Sequence, residues 1–148
     1  MLSNPFVVSL TPTDGSSASA QFSVVFRDAA NSSNLQPSQL LVSSALDGRR
    51  ACYVGFDHVN RIAYLVDDPG DGLQPVGLNL QNGTSIENSQ CRISSSGSSV
   101  SDNATEKTLT LNITFKPGFA GPKIVYAATQ TKAGGNSGWQ AMGVWSVP

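Results

Sequence analysis

Apolar and polar residues alternate along much of this chain. The clearest run is TLTLNITF at 108–115, where Leu109, Leu111, Ile113 and Phe115 share one parity. Successive side chains of a strand point to opposite faces, so alternation at period two indicates a half-buried strand. No stretch shows a sustained helical period. The pattern therefore predicts an all-β chain.

About nine short strands are predicted, separated by residues that favour turns and loops. They span 5–10, 18–26, 39–46, 51–57, 61–66, 91–93, 108–115, 123–129 and 139–147. Short strands with regular turns are typical of a sandwich of two antiparallel sheets, here of immunoglobulin-like type.

Four segments leave the strand pattern less clear. Residues 28–37 are predicted to be a polar loop, 73–88 to be irregular and 94–99 to be a serine-rich turn. The leucines of 39–46 would also suit a short helix. A strand is favoured there because Asp47-Gly48 makes a suitable hairpin turn into the next strand.

The length of 148 residues suits one domain, and neither an internal repeat nor a linker divides the chain. We therefore predict a single domain over 1–148, with residues 1–4 disordered or derived from cloning. Met1-Leu2-Ser3 is interpreted as the start of an excised module. No segment has the organisation of a signal peptide, and every apolar run is too short to span a membrane.

Composition limits the classes of molecule that the chain could bind. Charged residues make up 13% of the chain, about half the usual fraction. The net charge is −1 and the basic residues are scattered, so no basic face is available for nucleic acid. A surface rich in serine, threonine and asparagine suits secreted β proteins.

Two cysteines, Cys52 and Cys91, lie in predicted strands. They lack the close spacing and partner ligands of a zinc site. A disulfide is favoured, and two buried free thiols are the alternative. A disulfide would imply an oxidising compartment.

Several segments together resemble an immunoglobulin-like module of large secreted bacterial proteins. They are ACY (51–53), YL (64–65), DD (67–68), NSQC (88–91), LTLNITFKPGFAGPK (109–123), NSGWQ (136–140) and GVWSV (143–147). The resemblance covers roughly residues 5–147.

The resemblance implies an extracellular accessory or repeat unit without a catalytic signature. The two cysteines of the module usually occur together, which supports a Cys52–Cys91 pair. The function predicted is a non-catalytic structural or spacer module of a secreted or cell-surface protein, and the alternative is a module that binds carbohydrate or another ligand. Its partners would be neighbouring domains of a larger chain or a surface glycan.

Catalytic and metal chemistry have few candidates. His58 is the only histidine and is expected to be a solvated turn residue, so no catalytic residue and no enzyme activity are predicted. Asp67, Asp68 and Asp71 lie in one acidic loop that could offer oxygen ligands to calcium. An ordinary acidic turn is favoured, and no other cofactor is expected.

Aromatic residues are the candidates for a ligand site. Trp139 follows a glycine-containing loop and Tyr53 lies opposite in parity to Cys52, so both could contact a sugar. For Trp139, packing under its loop is favoured over ligand contact, and Trp145 and Tyr126 are expected in the core. Period two also links Trp139 to Trp145, which would give either a shallow trough or a buried stripe.

Overall fold

The computed structural model describes residues 5–148, and the prediction for residues 1–4 lies outside them. Within these described residues there are eleven strands. They are β1 (Phe6–Thr11), β2 (Ser19–Arg27), β3 (Leu35–Ser43), β4 (Cys52–Asp57), β5 (Ile62–Leu65), β6 (Leu78–Asn79), β7 (Ser85–Glu87), β8 (Cys91–Asp102), β9 (Glu106–Phe115), β10 (Gly121–Thr131) and β11 (Gln140–Val147). Short 3₁₀ turns at Ser32–Asn34 and Pro117–Phe119 precede β3 and β10.

The strands form two sheets whose neighbours all pair antiparallel. One has five strands in the order β1-β2-β9-β8-β7, and the other has six in the order β11-β10-β3-β4-β5-β6. The first matches the ABED sheet of an immunoglobulin-like domain, and the second the GFC sheet with the added strands of the variable type. The predicted immunoglobulin-like β-sandwich is confirmed.

The chain crosses between the sheets soon after β1. Thr13 accepts a hydrogen bond from the Val144 amide at 2.9 Å, and Gly15 accepts one from the Ser146 amide at 2.9 Å. The segment 13–17 thus covers the outer edge of β11. An uncovered edge would offer free backbone groups to other chains.

The core lies between the sheets and is made by the alternating apolar residues of facing strands. Phe22, Phe26 and Phe56 are almost completely buried in it. Trp145 joins them, with its ring 5.3 Å from that of Phe22 in an edge-to-face arrangement. The period-two pattern therefore identified the inward faces correctly.

Three predicted boundaries were wrong. The strand expected at 39–46 begins at Leu35 and ends at Ser43, because Leu35 pairs with Thr131. The serine-rich turn expected at 94–99 is part of β8, which pairs with β9 on both sides of a register shift between Ser94 and Ser99. The irregular region 73–88 contains the short strands β6 and β7.

The first and last strands reach opposite ends of the sandwich. Phe6 pairs with Arg27, at the end where the β2–β3 connection lies, and the same end holds the pair Leu35 and Thr131. Val147 pairs with Gly121, at the other end of β10. The described chain therefore enters at one end and leaves at the other.

The predicted disulfide is present. Cys52 at the start of β4 is bonded to Cys91 at the start of β8, so the bond joins the two sheets within the core. Next to it, the buried Asn88 amide donates to the carbonyl oxygens of Ala51 and Val66, at 3.0 and 3.2 Å. The same side chain accepts from the amides of Gln90 and Cys91.

Candidate binding groove on the six-stranded sheet

A groove of about 300 Å³ lies on the outer face of the six-stranded sheet. Its floor follows from strand register. Gln39 of β3 pairs with Gly55 of β4, and Gly55 pairs with Tyr64 of β5. Directly paired residues lie on the same face. Because Gly55 has no side chain, this row leaves a hollow between Gln39 and Tyr64.

Tyr53 forms one wall of the groove and is held in place by two neighbours. Its ring lies 5.6 Å from that of Trp139 in an edge-to-face arrangement. On another side is Gly48, where an added β-carbon would lie 3.0 Å from Tyr53 Cδ2. Burial raises the pKa of the Tyr53 phenol, so the ring is neutral at physiological pH.

Tyr64 forms a second wall and is supported in a similar way. A β-carbon added at Gly77 would lie 2.7 Å from Tyr64 Cε1, so the backbone of residue 77 packs against the ring. Leu73, with 55% of its surface exposed, borders the same groove. Both rings therefore have defined positions while remaining partly open to solvent.

The charged group of the groove is the Asp57 carboxylate, whose oxygens already accept hydrogen bonds. Asp57 Oδ1 accepts from Gln36 Nε2 at 2.7 Å and from the Val59 amide at 2.9 Å, and Oδ2 accepts from Asn60 Nδ2 at 2.8 Å. Burial alone would raise the pKa of Asp57, but these bonds bring it below its usual value. Asp57 is therefore ionised, and both of its carboxylate oxygens are occupied by hydrogen bonds within the protein.

Gln39 differs from the other amide of the groove. Both ends of the Gln36 amide are used, because its Oε1 accepts from the His58 backbone amide at 2.7 Å. The Gln39 side chain makes no hydrogen bond to residues 5–148 and lines the groove. It can offer one donor group and one acceptor group to a ligand.

The structure separates the aromatic residues singled out in the sequence. Trp139 and Tyr53 meet on the outer face, whereas Trp145 is buried in the core as expected. No trough joins Trp139 to Trp145, because the two rings lie on opposite sides of the sheet. Tyr126 was wrongly expected in the core: it is half-buried and pairs with Leu41, which in turn pairs with the outward Tyr53.

His58 is not the solvated turn residue that was expected. It is buried, with its ring 4.9 Å from that of Phe56. Its Nε2 lies 2.6 Å from Ser38 Oγ, and that oxygen lies 2.8 Å from Thr129 Oγ1. Burial, with a contribution from the Lys107 charge, lowers the pKa of His58 to about 4.

This buried pair does not have the arrangement of a catalytic triad. A triad needs an exposed nucleophile and a carboxylate on the second imidazole nitrogen. Ser38 is fully buried, and His58 Nδ1 has no hydrogen-bond partner among residues 5–148. The Ser38–His58 contact is therefore part of the core.

Two carboxylates of the acidic loop accept hydrogen bonds from other residues, one within the loop and one from the turn before β8. Asp67 Oδ1 accepts from the Asp71 amide at 2.8 Å, and Asp68 accepts from the amide and hydroxyl of Ser89. Within the described residues, no three His, Cys, Asp or Glu side chains form a metal-binding group. Calcium binding by this loop, the less favoured alternative in the sequence, is untested.

Sequence reasoning missed Gly55, Tyr64 and Gln39. The parity of β4 and β5 was visible, and it places Gly55 beside Tyr53 and turns Tyr64 away from Ala63 and Leu65. The juxtaposition was not visible, because it depends on the register of β3, β4 and β5.

No protein-family model and no curated protein matches this chain significantly. Solved structures do match, and one of them is a structure of murine CRIg. The two are 10% identical, with 97% of this chain and 96% of that chain covered and a TM-score of 0.40. Among residues 5–148 no helix is long and apolar enough to cross a membrane.

Proposed function

We propose that this chain is a non-catalytic structural module of a secreted or cell-surface protein, set in line with neighbouring domains. The observation that carries the proposal is the position of the first and last strands. Since Phe6 and Val147 lie at opposite ends of the sandwich, domains attached there would follow one another along its long axis.

Two further features support a structural role outside the cell. The Cys52–Cys91 bond joins the sheets, and disulfides persist in oxidising compartments. The segment 13–17 covers the edge of β11, which limits unwanted pairing with the strands of adjacent modules.

The test is replacement within the longer protein that carries this module. Residues 5–148 would be exchanged for an unrelated β-sandwich whose ends also lie at opposite ends of the domain. We expect secretion and surface display, measured by accessibility to an external protease, to match those of the unaltered protein. Deletion of the same residues should impair both. If the unrelated sandwich fails while the native module succeeds, a spacer role is contradicted.

A further inference from the structure

We propose that the groove over Gly55, walled by Tyr53 and Tyr64, binds a neutral saccharide. The proposal is independent of the in-line structural role, since it concerns only the outer face of the six-stranded sheet. It begins from the shape of that face. The row Gln39–Gly55–Tyr64 has side chains at its two ends and none at its centre, so the hollow belongs to the sheet itself.

The hollow at Gly55 is open rather than filled by a neighbour. A β-carbon built there would meet only Leu73 Cδ2, at the ordinary contact distance of 3.6 Å. The backbone of Gly55 does not have the positive φ that favours glycine. Neither strain nor crowding therefore requires a glycine at this position. Its effect is to leave room for a ligand.

The aromatic walls favour a ligand with apolar faces. Tyr53 is braced by Gly48 and Trp139, and Tyr64 by Gly77. Rings positioned before binding lose little conformational freedom when a ligand arrives. The axial C–H groups of a pyranose form an apolar face that packs on such rings, while a tyrosine hydroxyl remains available for hydrogen bonds.

Charge indicates that the ligand is neutral. Of the described residues that line the groove, Asp57 is the one that is charged, and its carboxylate already accepts hydrogen bonds from Gln36, Val59 and Asn60. No lysine or arginine among the described residues lines the groove, so a uronate, sulfate or phosphate group would find no counter-charge.

The unused polar groups suit hydroxyl groups on the ligand. The Gln39 amide and the hydroxyls of Tyr53 and Tyr64 have no hydrogen-bond partner within residues 5–148. Each can both donate and accept, as a sugar hydroxyl can. The volume of about 300 Å³ lies at the small end of the range for small-molecule sites, so a short stretch of a glycan would fill it.

The experiment measures binding of the protein to an array of neutral oligosaccharides, followed by titration of the strongest probe with tryptophan fluorescence as the signal. Gly55→Val places a side chain in the hollow, and we expect it to weaken binding at least tenfold. Gly118→Val is the matched control, because a β-carbon there meets nothing within 4 Å and the residue lies in the Pro117–Phe119 turn, outside the groove. It should bind as the wild type does.

Gln39→Ala and Tyr64→Ala keep the test informative if Gly55→Val fails to fold. Each should weaken binding at least fivefold without a matching fall in melting temperature. The proposal is overturned if the wild type binds no neutral oligosaccharide, or if Gly55→Val and Tyr64→Ala bind like the wild type. A proline-rich peptide is included as a second probe, since such peptides also dock on aromatic grooves. Binding of that peptide alone would overturn the saccharide assignment. None of these results bears on the exchange of the whole module, so the two proposals can fail separately.

Discussion

His58 is buried beside Phe56 and Ser38 and is held neutral by its surroundings. Its pKa in the folded state, about 4, lies below the ordinary value of 6.5. As the pH falls, the unfolded chain therefore takes up this proton before the folded chain does. The stability that His58 contributes is complete above pH 6.5 and is lost between 6.5 and about 4.

We expect this one group to reduce the free energy of unfolding by about 3 kcal/mol across that interval. Urea denaturation from pH 7 to 4 would measure the loss, with His58→Gln as the comparison, because glutamine does not titrate. The wild type should lose more stability than the variant, whose remaining slope comes from carboxylates common to both. Parallel profiles would show that His58 protonates as easily in the folded protein as in the unfolded one.

Asn88 is a second buried polar residue whose hydrogen bonds are all internal. It connects the backbone at Ala51 and Val66 with the turn that leads into Cys91. Asn88→Ala would leave four buried backbone groups without their partner, so we expect a loss of about 3 kcal/mol in the free energy of unfolding. Asn82→Ala, at an exposed asparagine, is the control and should change it little. Equal melting temperatures for the two variants would contradict this role.

At the scale of elements, the covered edge of β11 depends on close approach at Gly143. A β-carbon there would lie 2.6 Å from the Thr13 carbonyl oxygen. Gly143→Ala should therefore displace the segment 13–17, cost about 1–3 kcal/mol and leave the edge open to other chains. Thermal melting and size-exclusion chromatography would detect the loss of stability and the self-association. The control Gly118→Ala should neither lower stability nor self-associate. A Gly143→Ala variant that is fully monomeric and as stable as the wild type would contradict this role of Gly143.

The sequence predicted most strands because alternation is a local property. The run 108–115 and the inward residues of β2 needed no knowledge of partners. Pairing across long distances was hidden, which is why the early start of β3 at Leu35 was missed. The continuation of β8 through its serines was missed because that run has no alternation of apolar and polar residues. The same limit applies to the groove: Tyr53 and Trp139 were identified as candidates, but their contact and the hollow at Gly55 depend on the register of neighbouring strands.

At the scale of the whole molecule, one disulfide cross-link joins the two sheets. The 39-residue separation between Cys52 and Cys91 makes the disulfide worth about 4 kcal/mol in the chain-entropy argument. The double variant Cys52→Ala/Cys91→Ala should lose roughly that amount in urea denaturation and keep its far-ultraviolet circular dichroism. Thiol titration of the denatured, unreduced wild type should detect no free sulfhydryl. Two free thiols, or a variant as stable as the wild type, would contradict this role.

The position of the same bond also limits how far the protein can lengthen under tension. A force applied at Phe6 and Val147 would be transmitted through the residues outside the Cys52–Cys91 loop and through the disulfide bond. The 39-residue span closed by the bond would bear no tension and could not be extended. At roughly 3.4 Å per extended residue, the fully extended length of the oxidised module should be about 130 Å shorter than that of the reduced one. The maximum extension of a tether built from such modules would therefore depend on the redox state of its surroundings.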